Sequence, residues 1–125
     1  MNAEEIAVTV KAVVEAITAS KFMYTTEKDL QASIAEVLGQ KGIPFEREQK
    51  IGDHEVIDFM IGGSIGLEVK TKGSPSDVAR QLLAYAGRDC VKELILVTGR
   101  ARLGRLPEML LGKRIHVVTL WSNFL

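Results

Sequence analysis

The chain has a single cysteine, Cys90, among 125 residues. No internal disulfide can form, which fits a reducing compartment. One Cys and two well-separated histidines, His54 and His116, leave no zinc-binding pattern either. No apolar stretch is long enough to span a bilayer, and the start lacks the basic and apolar runs of a signal peptide. Together these absences predict a soluble cytoplasmic protein with no membrane partner. The formal net charge is zero, so the total implies no polyanion partner. Repeats, low-complexity tracts and linkers are absent, and the length suits one domain over 1–125 with a sizeable core. A glycine-rich phosphate loop, a nucleophile elbow and a cofactor fingerprint are also missing, which argues against a small-molecule enzyme on an α/β fold.

What is there is unevenly placed. Residues 1–40 hold Lys11, Lys21 and Lys28 against Glu4, Glu5, Glu15, Glu27, Asp29 and Glu36. Residues 99–116 hold Arg100, Arg102, Arg105, Lys113 and Arg114 against Glu108 alone. Such asymmetry makes a local basic surface on a neutral protein.

Apolar periodicity predicts a helix over 3–19, through Ile6, Val10, Val13, Val14 and Ile17. A second helix starts near Thr26, a good N-cap, and ends at Gly39 or Gly42. Three strands follow, over 45–50, 56–61 and 65–70, separated by Gly52-Asp53 and Gly62-Gly63-Ser64. Ser74-Pro75 opens another helix. The continuous apolar run 94–98 marks a strand covered on both faces. A short helix over 106–111 and a last strand over 115–120 complete the order, and the tail Trp121-Ser122-Asn123-Phe124-Leu125 is expected to pack on the body or on a second subunit. A three-strand meander followed by a helical crossover into a buried strand implies an α/β fold, a mixed sheet with helices on both faces.

Residues 57–73, IDFMIGGSIGLEVKTKG, keep three charges inside two apolar strands: Asp58, Glu68 and Lys70. Strand alternation puts Glu68 and Lys70 on one face and Ile65, Leu67 and Val69 on the other. In the preceding strand it puts Ile57, Phe59 and Ile61 together, with Asp58 facing away beside Val56 and Met60. Pairing around the glycine turn brings Asp58 beside Glu68. Two adjacent carboxylates repel unless positive charge lies between them. A divalent cation answers that need, since Mg²⁺ takes oxygen ligands, usually one or two carboxylates with waters. The Val69 carbonyl offers a further oxygen. Lys70, on the Glu68 face, reaches the same space and can hold a water or neutralise charge on a phosphate.

Asp58, nine intervening residues, then Glu68-Val69-Lys70 resembles the PD-(D/E)XK motif of restriction-endonuclease-like nucleases. The resemblance extends to Glu27 on the preceding helix, to Gln81 with Tyr85 one turn on, and to an αβββαβ order from about 25 to 98. Residues 1–24 and those after 100 would be additions, an N-terminal helix and a C-terminal αβ unit. Ile57 stands where the motif has proline, a common departure. The resemblance implies a Mg²⁺- or Mn²⁺-dependent endodeoxyribonuclease. Asp58, Glu68, Val69 and Glu27 would hold metal, Lys70 would position the attacking water, and Gln81 would orient Lys70, the water or the scissile phosphate. Small stand-alone members include Holliday-junction resolvases and phage nucleases that recognise DNA structure. A structure-selective, junction-resolving nuclease acting as a homodimer is therefore the leading expectation. Arg100, Arg102, Arg105 and Lys72 are the expected DNA contacts. The alternatives are a catalytically inactive nuclease-fold module for DNA binding or assembly, and a sequence-specific restriction-type enzyme.

Plainer roles stand beside these. Asp58 can pair with Lys70 as a structural bridge. Glu27 suits the first turn of any helix. Gln81 can be solvated, Tyr85 can be packing, and the arginines can be a solvated loop. His54 and His116 read as structural, and Cys90 as a half-buried small hydrophobe.

Overall fold

A computed structural model describes residues 1–120. The tail 121–125, and with it the packing expected of that segment, lies outside the described residues. The elements are α1 (Ala3–Thr18), α2 (Glu27–Gln40), β1 (Phe45–Lys50), β2 (Val56–Ile61), β3 (Ile65–Lys70), α3 (Pro75–Ala86), β4 (Glu93–Thr98), a 3-10 turn (Ala101–Arg105), β5 (Met109–Leu110) and β6 (Lys113–Thr119).

Local chemistry sets the helix starts. Asn2 with Glu5, and Thr26 with Asp29, form reciprocal capping boxes for α1 and α2. Ser74 caps α3 ahead of Pro75 at its first position. Each device satisfies backbone N–H groups that a helix start would otherwise leave orphaned.

The strands form one six-stranded sheet in the order β1-β2-β3-β4-β6-β5. β1, β2 and β3 pair antiparallel, β3-β4 and β4-β6 pair parallel, and β5 returns antiparallel on β6. The sheet is thus mixed and α/β, with helices on both faces, as the element order predicts. One face packs Phe59, Ile61, Leu67, Val69, Ile95 and Val97 against Val13 and Ile17 of α1 and Leu30, Ile34 and Leu38 of α2. The other packs Met60, Leu94, Leu96 and Ile115 against Val78, Leu82 and Tyr85 of α3 and Leu103 of the 3-10 turn.

Four expectations need correction. Residues 106–111 are not a helix. The helical turn falls on the basic segment before them, and after Pro107 a two-residue strand turns back through Leu111 and Gly112, at φ 52° and 76°. Two successive positive φ values suit a tight hairpin and exclude a helix. Cys90 is exposed rather than half-buried. Ile57 does not share a face with Phe59 and Ile61; it joins Met60 and Leu94 on the α3 side. The fourth correction concerns Asp58, between Ile57 and Phe59, and follows from the broken alternation there.

Candidate metal and phosphate site

The β2–β3 ladder runs from Ile61↔Ile65 to Phe59↔Leu67 and stops there. On the other flank, the β1–β2 pairing passes from Arg47↔Phe59 to Gln49↔Ile57, and Glu48, opposite Asp58, sits at φ 48°. Positive φ in a non-glycine residue is a local distortion. Asp58 therefore lies where β2 is loosened on both sides. Its carboxylate turns into the gap between β2 and β3 instead of standing on a face beside Val56 and Met60.

In that gap the two acids replace missing ladder bonds. The Val69 N–H donates to Asp58 Oδ2 at 2.8 Å, and the Asp58 N–H donates to Glu68 Oε1 at 3.0 Å. Backbone N–H and C=O of one residue in an extended strand point the same way, so the Val69 carbonyl lies on the Asp58 side. Glu68 is only 2 % exposed and faces α3. The Tyr85 hydroxyl lies 3.0 Å from Glu68 Oε2 and 3.1 Å from the Val56 carbonyl, and its one proton serves either acceptor. Gln81 Nε2 donates to that hydroxyl at 2.9 Å. Lys70 Nζ stands 3.7 Å from Glu68 Oε2. The structural bridge of Lys70 is therefore to Glu68, not to Asp58.

The electrostatics follow from this crowding. Burial, and then the neighbouring Asp58 charge, push Glu68 up to about 8; Lys70 works weakly in the opposite direction. Asp58 is also raised, chiefly by burial and further by the Glu27 charge, against the lowering effect of the Val69 N–H. Two adjoining acids with one ammonium remain one positive charge short when both ionise. The Tyr85 phenol is held above its ordinary range by burial and by the Glu68 charge, so it stays a hydroxyl.

Glu27 is the first residue of α2. Its Oε1 accepts the Thr71 N–H at 2.9 Å and the Thr71 hydroxyl at 3.3 Å. It thereby ties the start of α2 to the end of β3, near enough to bear on Asp58 but not in the Asp58–Glu68 bridge. Gln81 acts on Glu68 through Tyr85 rather than on Lys70. Among the described residues no cluster of three or more His, Cys, Asp or Glu side chains is poised to hold a metal. The oxygens that could serve a cation here are those of the two carboxylates and the Val69 carbonyl. All are oxygen, which suits Mg²⁺ or Mn²⁺, ions that keep several waters and need only one or two carboxylates.

The basic residues divide. Arg100 Nη1 donates to the Gly73 carbonyl at 3.2 Å, which brings its loop against the β3–α3 loop. Lys72, on that second loop, is exposed and lines a groove with Thr25, Thr26, Glu27, Lys70, Thr71 and Gly73. Arg102 and Arg105 are exposed on the 3-10 turn. Tyr85, named beside Gln81 in the resemblance but given no role there, joins the site through its hydroxyl. Its one signal was its position four residues after Gln81, on the same helix face.

No protein-family model, curated protein or solved structure matches this chain.

Proposed function

We propose that this protein is a metal-dependent nuclease of the PD-(D/E)XK type that hydrolyses DNA phosphodiester bonds. The observation that carries the reading is the Asp58–Glu68 bridge with Lys70 beside it. Two acids in a partly dry gap with one ammonium are one positive charge short when both ionise, and without a cation one of them must keep its proton. The αβββαβ order and the position of Glu27 and Gln81 support the same assignment.

Asp58, Glu68 and the Val69 carbonyl would hold the ion, which supplies positive charge against the phosphoryl oxygens. Lys70 keeps its ammonium on the Glu68 side, where it can hold the attacking water and offset negative charge that grows on the phosphate. Tyr85 and Gln81 fix the Glu68 carboxylate, so its oxygens need no reorganisation as the substrate arrives. Glu27 holds Thr71 and so fixes the chain just beyond Lys70. The resemblance to PD-(D/E)XK nucleases implies products with a 5′-phosphate and a 3′-hydroxyl. The exposed Lys72, Arg102 and Arg105 offer charge to the backbone without reading bases, which favours selection by DNA structure, including junctions. Cutting two strands calls for two such sites, so a homodimer is part of the proposal.

A second reading, a nuclease-fold binding module without catalysis, draws on one observation. Both acids already accept backbone N–H groups, so they hold β2 to β3 even without chemistry. A cleavage assay separates the two. Single-stranded, duplex, flap and four-way-junction DNA are each incubated with Mg²⁺, Mn²⁺ or EDTA. We expect metal-dependent cutting that falls at least about a hundredfold in Lys70→Ala, in line with loss of an electrostatic stabiliser. No cutting of any substrate would favour the binding module.

A further inference from the structure

We propose that the groove beside Lys70 seats the phosphate next to the one cut, with Lys72 as its ligand. The inference rests on the nuclease reading and extends it to the path of the substrate strand. The groove is walled by Thr25, Thr26 and Glu27 on one side and by residues 70–73 on the other. Lys70 lines it while its ammonium stands 3.7 Å from Glu68, so the groove adjoins the acid pair at Lys70. Lys70 ends β3, and Lys72 follows two residues on. Residues 71 and 72 are bends beyond the end of the strand, and the turn keeps Lys72 in the groove that Lys70 lines. With Lys70 at the scissile phosphate, a strand that runs on through the groove brings the next phosphate to Lys72.

The loop that carries Lys72 is held at both ends. Thr71 donates twice to Glu27, and the Gly73 carbonyl accepts from Arg100. Lys72 itself is exposed and makes no ion pair or side-chain hydrogen bond among the described residues. A free ammonium on a fixed backbone loses less freedom on binding than one on a loose loop. Arg100 is then a positioning residue for this loop, and Lys72 the group that touches substrate. Recognition is by charge alone, so the site is indifferent to base identity.

The test pairs a protein change with a substrate change. A neutral methylphosphonate is walked through the linkages on both sides of the cleaved one, and wild type is compared with Lys72→Ala. We expect one neighbouring linkage at which neutralisation lowers kcat/KM about tenfold, matched by Lys72→Ala on the native substrate. The two changes together should cost no more than either alone, because they remove one contact. Equal melting temperatures confirm that the exposed substitution leaves the fold intact. Losses that add, or no loss at any linkage, would overturn the groove while leaving the nuclease standing. If nothing is cut, the same cycle is read in Kd by fluorescence anisotropy. A shared loss there keeps the groove and rejects the nuclease; no DNA binding overturns both.

Discussion

Glu68 is held by the Asp58 N–H, the Tyr85 hydroxyl and, more distantly, the Lys70 ammonium. Those contacts do not offset its burial, and its pKa rises from 4.5 to about 8. A carboxyl raised on folding binds its proton more tightly in the folded state. Its contribution to stability is complete below 4.5 and is lost as pH climbs towards about 8. The raised Asp58 acts in the same sense, above its own ordinary value of 3.8. Glu55 is shifted down by the half-buried Arg88 bridge, so its effect falls at more acid pH, below 4.5. Protein freed of metal by EDTA should therefore melt at a higher temperature near pH 5.5 than near pH 8, and saturating Mn²⁺ should abolish or reverse the difference. Thermal melts in the two buffers check this; equal melting points in EDTA would remove the strained acid pair from the account. At this scale the residue types were legible in the sequence. The spacing of Asp58, Glu68 and Lys70 alone brought them to one place. The sideways turn of Asp58 was not legible, because it depends on Glu48 taking a positive φ and on the early end of the β2–β3 ladder.

Elements were easier to read where turns and periodicity agreed. The bounds of β1, β2 and β3 follow from Gly52-Asp53 and Gly62-Gly63, and the start of α3 follows from Ser74-Pro75. The segment 106–111 misled because Leu106, Leu110 and Leu111 mimic a helical stripe, while Pro107 and the Leu111–Gly112 turn decide otherwise. β2 misled differently. Its apolar alternation is regular in sequence, yet Ile57 crosses to the α3 side. There it lies over Gly66 of β3 beside Leu94, and a Cβ on Gly66 would meet both side chains. The absence of a side chain at Gly66 is thus what lets Ile57 leave the alternation. Gly66→Ala should cost about 1–3 kcal/mol by overpacking, measured by chemical denaturation. Unchanged stability would mean that Ile57 has an alternative place to sit.

In the whole molecule, the start of α2, the loop into α3 and the loop after β4 converge at the carboxyl ends of β3 and β4. Ligands of open α/β sheets gather at such ends. Glu27 reaches there from α2, and Arg100 reaches there from the segment after β4. From the sequence Glu27 was expected near the acids as a metal ligand; its hold on Thr71 was not anticipated. The basic run after residue 99 was legible as charge, but its contact with Gly73 depends on β3 and β4 being parallel neighbours. No helix among the described residues is long and apolar enough to cross a membrane. The proposed function requires a divalent cation in the Asp58–Glu68 gap. Calorimetric titration of Mn²⁺ into wild type and Asp58→Asn near pH 8 tests it most directly. Saturable binding to wild type, weakened at least about tenfold in Asp58→Asn, is the predicted result. No binding to wild type, or equal binding to both, would contradict it.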